Sequence, residues 1–310
     1  MLAVRLIQQQ DIAVLGITFE TPFFHAARAR AAAEQIGLPL SVVDITEAHL
    51  NMMRSPRYGF GRNMNPCIDC HALMLSRAGK MMGEQEADFI FTGEVLGQRP
   101  MSQNRQSLHV VAKLSGYEDY VLRPLSARLL PETKPEREGK VDRARLLDIQ
   151  GRGRKRQMLL ASQWDIQEYP RPAGGCLLTD PIFSRRLRDL YRHTTEPAVR
   201  DIELLKHGRH FRIENGSKIV IGRNMRDNLA IEKLSRPADA LLCMADYPGP
   251  SVLVPDSGDA STLATAASLC ALYSDCPKDR PALAICEAEN ARQELTIQAA
   301  SREDAARWII

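Results

Sequence analysis

The sequence predicts an α/β fold followed by a smaller α+β domain, and two observations support this prediction. In the first hundred residues, short apolar runs alternate with helical patterns, which is typical of βα units built around a parallel sheet. After about residue 204 the pattern changes to paired short strands joined by turns. We therefore expect one domain over residues 1–200 and a second over residues 205–310.

Three short runs rich in β-branched or aromatic residues predict the strands of the first domain. They cover residues 13–18, 41–45 and 88–92. Helical spacing of apolar residues predicts helices over residues 25–37 and 70–86. Strands and helices thus alternate in the order that a parallel sheet flanked by helices requires.

The middle of the chain has a different character. Residues 131–140 are charged and interrupted by proline, which predicts an exposed loop, and a helical pattern follows through residue 160. Residues 194–201 predict a linker between the two domains.

The second domain contains two predicted hairpins and a helix. Asn215-Gly216 lies between strand-like residues 211–213 and 218–222, and Asn-Gly is the strongest short-range hairpin signal. A second hairpin is predicted from strands over residues 241–245 and 251–255, and residues 261–273 form a helical pattern of small side chains.

The composition is that of an ordinary globular protein. The hydrophobic share is 44% and the charged share 25%, and a formal charge of +3 is too small to indicate nucleic acid by itself. Seven cysteines do not form the dense, even framework of a small secreted domain, and no segment is apolar for long enough to cross a membrane. We therefore expect a cytoplasmic protein with no membrane partner.

The most informative motif is Cys67-Ile68-Asp69-Cys70-His71, because two thiols three residues apart can share one metal or cluster. A haem attachment site would need an export signal, and a zinc site would need further ligands in a second paired motif. A redox pair of the thioredoxin kind is a third reading. For His71 we expect hydrogen-bonded packing at a helix start rather than metal ligation.

Cys176 is a candidate third ligand, because Gly174-Gly175 before it allow a close backbone approach. Three thiolates can hold a cubane cluster and leave one iron open. The alternative is that Cys176 is a small buried hydrophobe, as free cysteines usually are. We expect that ordinary role for the remaining cysteines, which are Cys243, Cys270, Cys276 and Cys286.

These residues resemble the PP-loop ATPases that thiolate tRNA, the 2-thiouridine and 4-thiouridine synthases. Thr92-Gly93-Glu94-Val95-Leu96-Gly97-Gln98 and Ser102-Gln103 resemble the nucleotide-site segment of that family. Asn65-Pro66-Cys67-Ile68-Asp69-Cys70 and Gly174-Gly175-Cys176 resemble the cysteines of its iron-sulfur branch. The similarity spans about residues 1–190 and implies an adenine nucleotide alpha hydrolase-like parallel sheet.

One family motif is missing from the sequence. The family's Ser-Gly-Gly-x-Asp-Ser turn, which cradles pyrophosphate, does not occur here, and residues 1–7 resemble the helix that follows it. Either the start was assigned too far downstream or the loop has been lost, and we favour the first explanation.

The C-terminal part resembles the RNA-binding domain of NFACT ribosome-quality-control proteins, over about residues 205–300. The residues that support this are Gly222-Arg223-Asn224-Met225-Arg226-Asp227-Asn228 and Tyr247-Pro248-Gly249-Pro250-Ser251. Arginines suit phosphates and unpaired bases, although a solvated basic face is the alternative for each one. The RNA-binding candidates are Arg209, Arg212, Arg223 and Arg226, with Arg152, Arg154, Lys155 and Arg156 as a second basic run.

The resemblance implies a sulfurtransferase that uses ATP with Mg²⁺ to adenylate a uridine carbonyl of tRNA. Sulfur from a donor protein or sulfide would then replace AMP, delivered through a 4Fe-4S cluster held by Cys67, Cys70 and Cys176 as the catalytic and metal-binding residues. The implied nucleotide ligands are Gly16, Ile17, Thr18, Gly93, Glu94, Gln98 and Ser102. Two alternatives remain: Cys67 or Cys176 acts as a persulfide-bearing nucleophile, or the protein binds RNA without catalysis.

Overall fold

The chain folds into two compact units, Met1–Thr179 and Asp180–Ile310. The structure is a computed structural model that describes residues 1–99, 101–169, 175–288 and 291–310. Among these residues, no helix is both long enough and apolar enough to cross a bilayer.

The first unit alternates helices and short strands. Its helices are α1 (Leu2–Gln8), α2 (Ala27–Gln35), α3 (Thr46–Arg54), α4 (Cys67–Glu84), α5 (Arg105–Ser115), α6 (Lys134–Arg137) and α7 (Lys155–Gln163). Its strands are β1 (Gly16–Glu20), β2 (Leu40–Asp44), β3 (Ile90–Phe91) and β4 (Val121–Leu122). Short 3-10 helices cover Glu118–Tyr120, Ala127–Leu129, Arg143–Arg145 and Leu177–Thr179.

The strands of the first unit pair in parallel, as the α/β class predicts. β1 pairs with β2 from Gly16 opposite Leu40, and β3 pairs with β4 from Ile90 opposite Val121. The mixed α/β class is therefore confirmed. In the described part of this unit, however, the strands form two separate two-stranded sheets, whereas the sequence analysis expected one parallel sheet.

Helix α1 supplies much of the core around β3 and β4. Its buried side chains Leu6 and Ile7 pack in one cluster with Val95 and with Leu122 of β4. The buried side chains of α1 form the apolar side of this short helix, and the cluster covers them.

Two elements of the first unit differ from the sequence-based prediction. α4 begins at Cys67 and not at Cys70, so both cysteines of the motif lie in its first turn. The segment predicted as a loop over residues 131–140 contains α6, because the backbone N–H of Thr133 donates to Glu136 Oε2 at 2.7 Å. A capping contact of this kind stabilises a short helix start that composition does not reveal.

The second unit is built on one antiparallel sheet. Its helices are α8 (Pro181–His193), α9 (Val199–Leu204), α10 (Met225–Lys233), α11 (Ala260–Leu272) and α12 (Arg302–Trp308). Its strands are β5 (Arg209–Arg212), β6 (Lys218–Ile221), β7 (Ala240–Met244), β8 (Val252–Val254), β9 (Ala282–Ala288) and β10 (Ala291–Ile297), in the spatial order β10-β9-β7-β8-β6-β5. Both expected hairpins, β5-β6 and β7-β8, are present.

Both faces of this sheet are covered by helices, which explains the continuous apolar runs of β6 and β8. Ile219 and Ile221 of β6 point into the cluster formed with α11. Val220, between them, points to the opposite face and packs with Ile231 of α10 and Leu204 of α9. Alternate residues of a strand face opposite sides, so a strand buried on both sides is apolar throughout.

The unit boundary lies at Thr179/Asp180, earlier than the expected division at residues 200–205. α8 belongs to the second unit because Arg186 donates to the carbonyl oxygens of Leu205 at 2.8 Å and Gly208 at 2.9 Å. The linker predicted over residues 194–201 is shorter than expected, because residues 199–201 already belong to α9.

Candidate functional site

The three candidate thiols of the first unit lie in one neighbourhood. Cys67 and Cys70 are one turn apart in α4, and all three cysteines, with Cys176, are free thiols. Burial raises the pKa of Cys70 far above its ordinary range, and the nearby Cys176, Cys67 and Asp69 groups raise it further. Burial also raises the pKa of Cys176, with Cys67 again contributing. The structure thus brings together two sequence motifs that are more than a hundred residues apart.

Hydrogen bonds to two asparagines hold the thiol segments together. The side chain of Asn65 donates to Cys67 Sγ at 3.3 Å, and the side chain of Asn63 donates to the carbonyl of Thr179 at 2.8 Å. The hydroxyl of Thr179 in turn donates to the carbonyl of Cys176 at 2.7 Å. The segment before α4 is therefore fastened to both cysteine motifs. Gly174 of the second motif lies outside the described residues.

The donor chemistry of this cluster suits iron, since thiolates are the ligands of iron-sulfur clusters. Among the described residues, no group of three or more His, Cys, Asp or Glu side chains stands in an arrangement that would hold a metal ion. The role of the three thiols as cluster ligands stays a prediction.

A buried polar network joins the thiol helix to the end of β3. Glu94 Oε1 lies 3.1 Å from His71 Nδ1, and Glu94 Oε2 accepts from Arg123 Nε at 3.0 Å and from the Thr92 hydroxyl at 3.1 Å. The side chains of Glu94 and Arg123 are 10% and 7% exposed. Burial raises the pKa of Glu94, but the His71 hydrogen bond and the Arg123 charge lower it more, to about 2. His71, the residue after Cys70, is thus a hydrogen-bonded packing residue, as expected.

A cavity of about 400 Å³ lies beside this network. Gly93, next to Glu94, lines it, and so does Arg28, whose Nη1 would be 3.2 Å from a Cβ on Gly175, next to Cys176. Other lining residues include Leu125, Arg154, Gln157, Met158 and Tyr169. The cavity has the size of a small-molecule site, with apolar walls and a few polar groups.

The predicted nucleotide residues are distributed unevenly around this cavity. Gly16, Ile17 and Thr18 lie within β1 and are not among the cavity's lining residues. A Cβ on Gly16 would be 2.8 Å from Leu38, so packing explains this glycine without a ligand.

The predicted loop after β3 comes closer to the cavity. Gly93 lines it directly, and Gln98 donates to the Gln157 side chain at 3.1 Å, which places Gln98 behind a lining residue. Glu94 is engaged in the buried network, and Ser102 is buried.

The basic run before α7 is divided in its contacts. Arg154 lines the cavity, with its guanidinium carbon 5.7 Å from the centre of the Tyr169 ring. Arg156 pairs with Asp148 at 2.8 Å. Arg152 and Lys155 are exposed at the start of the helix.

In the second unit, the two motifs chosen from the sequence meet through one side chain. Asn228 donates to the carbonyl of Gly249 at 3.4 Å and accepts from the backbone N–H of Ser251 at 3.2 Å. The backbone N–H of Gly222 donates to the Ser251 carbonyl at 3.0 Å. A Cβ on Gly222 would lie 1.9 Å from Asn228 Oδ1, so any larger residue there would displace the Asn228 side chain.

Two of the four candidate arginines, Arg212 and Arg209, are held against other elements of the second unit. Arg212 forms a two-point contact with Asp189 of α8, at 3.2 Å and 2.5 Å, which commits its guanidinium. Arg209 lies over the Tyr273 ring, 4.6 Å from its centre, and its Nη1 is 3.5 Å from the Gly222 carbonyl.

The other two arginines stand at the start of α10 and face solvent. Arg223 Nε donates to Asp227 Oδ2 at 2.6 Å, and its side chain remains exposed. Arg226 is exposed.

Several site residues had no signal in the sequence. Arg123 and Tyr169 reach the first unit's site from segments without a motif. The expectation that Cys243 is buried was wrong, since it is exposed on β7, whereas Cys270, Cys276 and Cys286 are buried as expected.

Comparison with known proteins gives a family match within the second unit. Residues 208–309 match the family model described as "NFACT protein RNA binding domain", so the expected C-terminal RNA-binding domain is confirmed. No curated protein sequence matches the chain. Among solved structures, the C-terminal part of the fibronectin/fibrinogen-binding protein from Streptococcus suis matches with 12% identity, 78% of this chain, 96% of that chain and a TM-score of 0.31. A likeness at that score carries no argument about this chain.

Proposed function

We propose that this protein is an ATP-dependent tRNA sulfurtransferase. The uridine carbonyl oxygen attacks the α-phosphorus of ATP and pyrophosphate leaves; sulfur then bonds to the carbon, and AMP departs with the oxygen. The observation that supports this best is a cavity of about 400 Å³ near both thiol motifs. Gly93 lines it next to Glu94, which contacts His71, and Arg28 lines it beside Gly175. Activated substrate and sulfur carrier would have to meet in such an arrangement.

Different residues of the chain would bind ATP, hold the cluster and position α4. Arg28 and Arg154 bring guanidinium groups to the cavity wall, where they would bind the phosphates of ATP. Cys67, Cys70 and Cys176 would hold the iron-sulfur cluster, which when bound supplies an iron with room for a sulfur ligand. Glu94 and Arg123 fix α4, and with it the two cysteines of its first turn.

We assign RNA recognition to the second unit, because its residues 208–309 match the family model of an RNA-binding domain. tRNA is the partner that this proposal requires, because the uridine to be modified must be part of it. The ATPase-type arrangement of the first unit, with one parallel sheet of which β1-β2 and β3-β4 are parts, is included in the same proposal.

The cluster is tested by purifying the full chain without oxygen and measuring iron and acid-labile sulfide. We expect both in the wild type and their loss in Cys176→Ser, while Cys243→Ser, an exposed cysteine of the other unit, keeps them. Iron retained in Cys176→Ser, or no iron in any preparation, would refute the cluster.

The reaction is tested by mass spectrometry of tRNA nucleosides from a strain that lacks the gene. We expect one thiolated uridine to disappear, and to return with the wild-type gene but not with Cys70→Ser. An unchanged thiouridine profile would refute sulfur insertion.

A second candidate function is RNA binding without catalysis. It is favoured by the placement of Gly16, Ile17 and Thr18 away from the cavity and by the engagement of Glu94 with Arg123. Equilibrium dialysis with labelled ATP separates the two candidates, since only the sulfurtransferase requires ATP to bind the first unit.

A further inference from the structure

The solvent-facing side of α10 carries exposed apolar side chains, where polar ones are usual. Met225 is 71% exposed and Leu229 is 59% exposed. They are four residues apart, so they are neighbours on one side of the helix. Arg226 and Lys233 are exposed in the same region, and Lys233 is four residues beyond Leu229. We call these four residues the α10 face.

A preoriented arginine stands at the start of this face. Arg223 contacts Asp227 with Nε at 2.6 Å and Nη2 at 3.4 Å, which leaves Nη1 directed away from the pair. Because Asp227 is buried, the guanidinium is held in place before any ligand arrives. Less side-chain entropy is then lost on binding.

The backbone under the face is also fixed. The side chain of Asn224 accepts from the backbone N–H of Asp227 at 3.0 Å and so caps α10. Asn228, at the end of the first turn, is bonded to Gly249 and Ser251 on the neighbouring loop. A rigid surface of mixed apolar and cationic side chains suits a ligand that offers flat apolar groups joined by anions.

We propose that the α10 face, together with Arg223 just before the helix, binds single-stranded RNA, with unpaired bases against Met225 and Leu229 and phosphates on Arg223 and Arg226. The inference rests on the RNA-binding part of the proposed function, because the family match over residues 208–309 encloses the face. In a duplex the bases are stacked and paired, so only phosphates and hydroxyls would reach the helix. The two apolar side chains would then stay without a partner.

The test is fluorescence anisotropy of the full chain with labelled oligouridylate and with an RNA duplex of equal length. We expect oligouridylate to bind more tightly than the duplex. The double variant Met225→Ser/Leu229→Ser should weaken oligouridylate binding about tenfold, because less apolar surface is buried against the bases, and should leave duplex binding unchanged. Arg226→Gln should reduce the dependence of binding on salt concentration by about one ion.

Two controls match these variants. Ile182→Ser removes an exposed apolar side chain from α8, and Arg302→Gln removes an exposed arginine from α12. Both should bind like the wild type. Circular dichroism melting checks that all variants fold, which their exposed positions favour.

The outcomes distinguish a failure of the α10 face as the binding site from a failure of RNA binding itself. If the wild type binds oligouridylate and the double variant binds equally well, the α10 face is not the site, although RNA binding stands. If the wild type binds neither RNA, both fall. If the wild type sediments as an oligomer and the double variant sediments as a monomer, the α10 face binds another copy of the chain and the proposal is overturned.

Discussion

Replacing Glu94 by glutamine tests whether the buried network holds the thiol helix in place. The change keeps the size of the side chain but removes the negative charge that faces Arg123 Nε at 3.0 Å. Arg123 is 7% exposed, so its guanidinium would be left as a buried charge without its partner. Breaking a buried pair in this way destabilises a protein by about 3–5 kcal/mol.

The pKa of Glu94 gives a second route to the magnitude. Its pKa is about 2, against an ordinary value of 4.5. At about 1.4 kcal/mol per pKa unit, the ionised form contributes on the order of 3 kcal/mol. A depressed pKa means that this contribution is complete above pH 4.5 and is lost as the pH falls toward 2. The two routes agree in size.

The measurement is urea unfolding of the first unit, followed by tryptophan fluorescence. The chain has two tryptophans, Trp164 in the first unit and Trp308 in the second, so Trp308→Phe in every variant confines the signal to the first unit. We expect Glu94→Gln to lower the free energy of unfolding by about 3 kcal/mol at pH 7. The difference from the wild type should shrink between pH 4.5 and pH 2.

Glu138→Gln is the matched control, because the ion pairs of Glu138, with Lys134 and with Lys140, are both exposed. Such pairs contribute about 0–1 kcal/mol. If Glu94→Gln destabilises the unit no more than Glu138→Gln does, or if its effect is the same at pH 7 and pH 3, the assignment of the buried pair is incorrect.

Three further predictions concern single positions. Gly222→Ala should destabilise the second unit by about 1–3 kcal/mol in urea, because the added Cβ meets Asn228; an unchanged midpoint would contradict this contact. Burial and the Arg212 charge lower the pKa of Lys218 to about 8, so Lys218→Met should raise the Tm at pH 7, and the gain should vanish as the pH rises from about 8 to 10.5. Burial lowers the pKa of His49 to about 4, so the wild type should lose stability as the pH falls from 6.5 to 4, and His49→Leu should lose less; parallel pH profiles would contradict it.

Local patterns in the sequence predicted much of the fold, because hairpins and amphipathic helices are encoded over a few residues. The Asn215-Gly216 turn and the helix that became α11 were both placed correctly. α6 was missed, since its start depends on one contact between Thr133 and Glu136 inside a charged, proline-containing segment.

The candidate site was predictable only as far as its motifs reach. Cys67 and Cys70 were chosen for their spacing and Cys176 for the two glycines before it. The structure places these three thiols in one neighbourhood, and their role stays a prediction. Arg123 was not found, since nothing local marks an arginine that will meet Glu94 from another strand end. Long-range pairing of this kind is a property of the fold and not of a segment.

The contact between α8 and the β5-β6 hairpin matters for anyone who wants to move this RNA-binding module elsewhere. Arg212 and Lys218 face each other directly across the hairpin. The carboxylate that pairs with Arg212 belongs to Asp189, which lies upstream of residues 208–309. A gene fusion that grafts only residues 208–309 would leave two cations opposed, which weakens strand pairing. A graft that starts at Asp180 carries the neutralising helix with it.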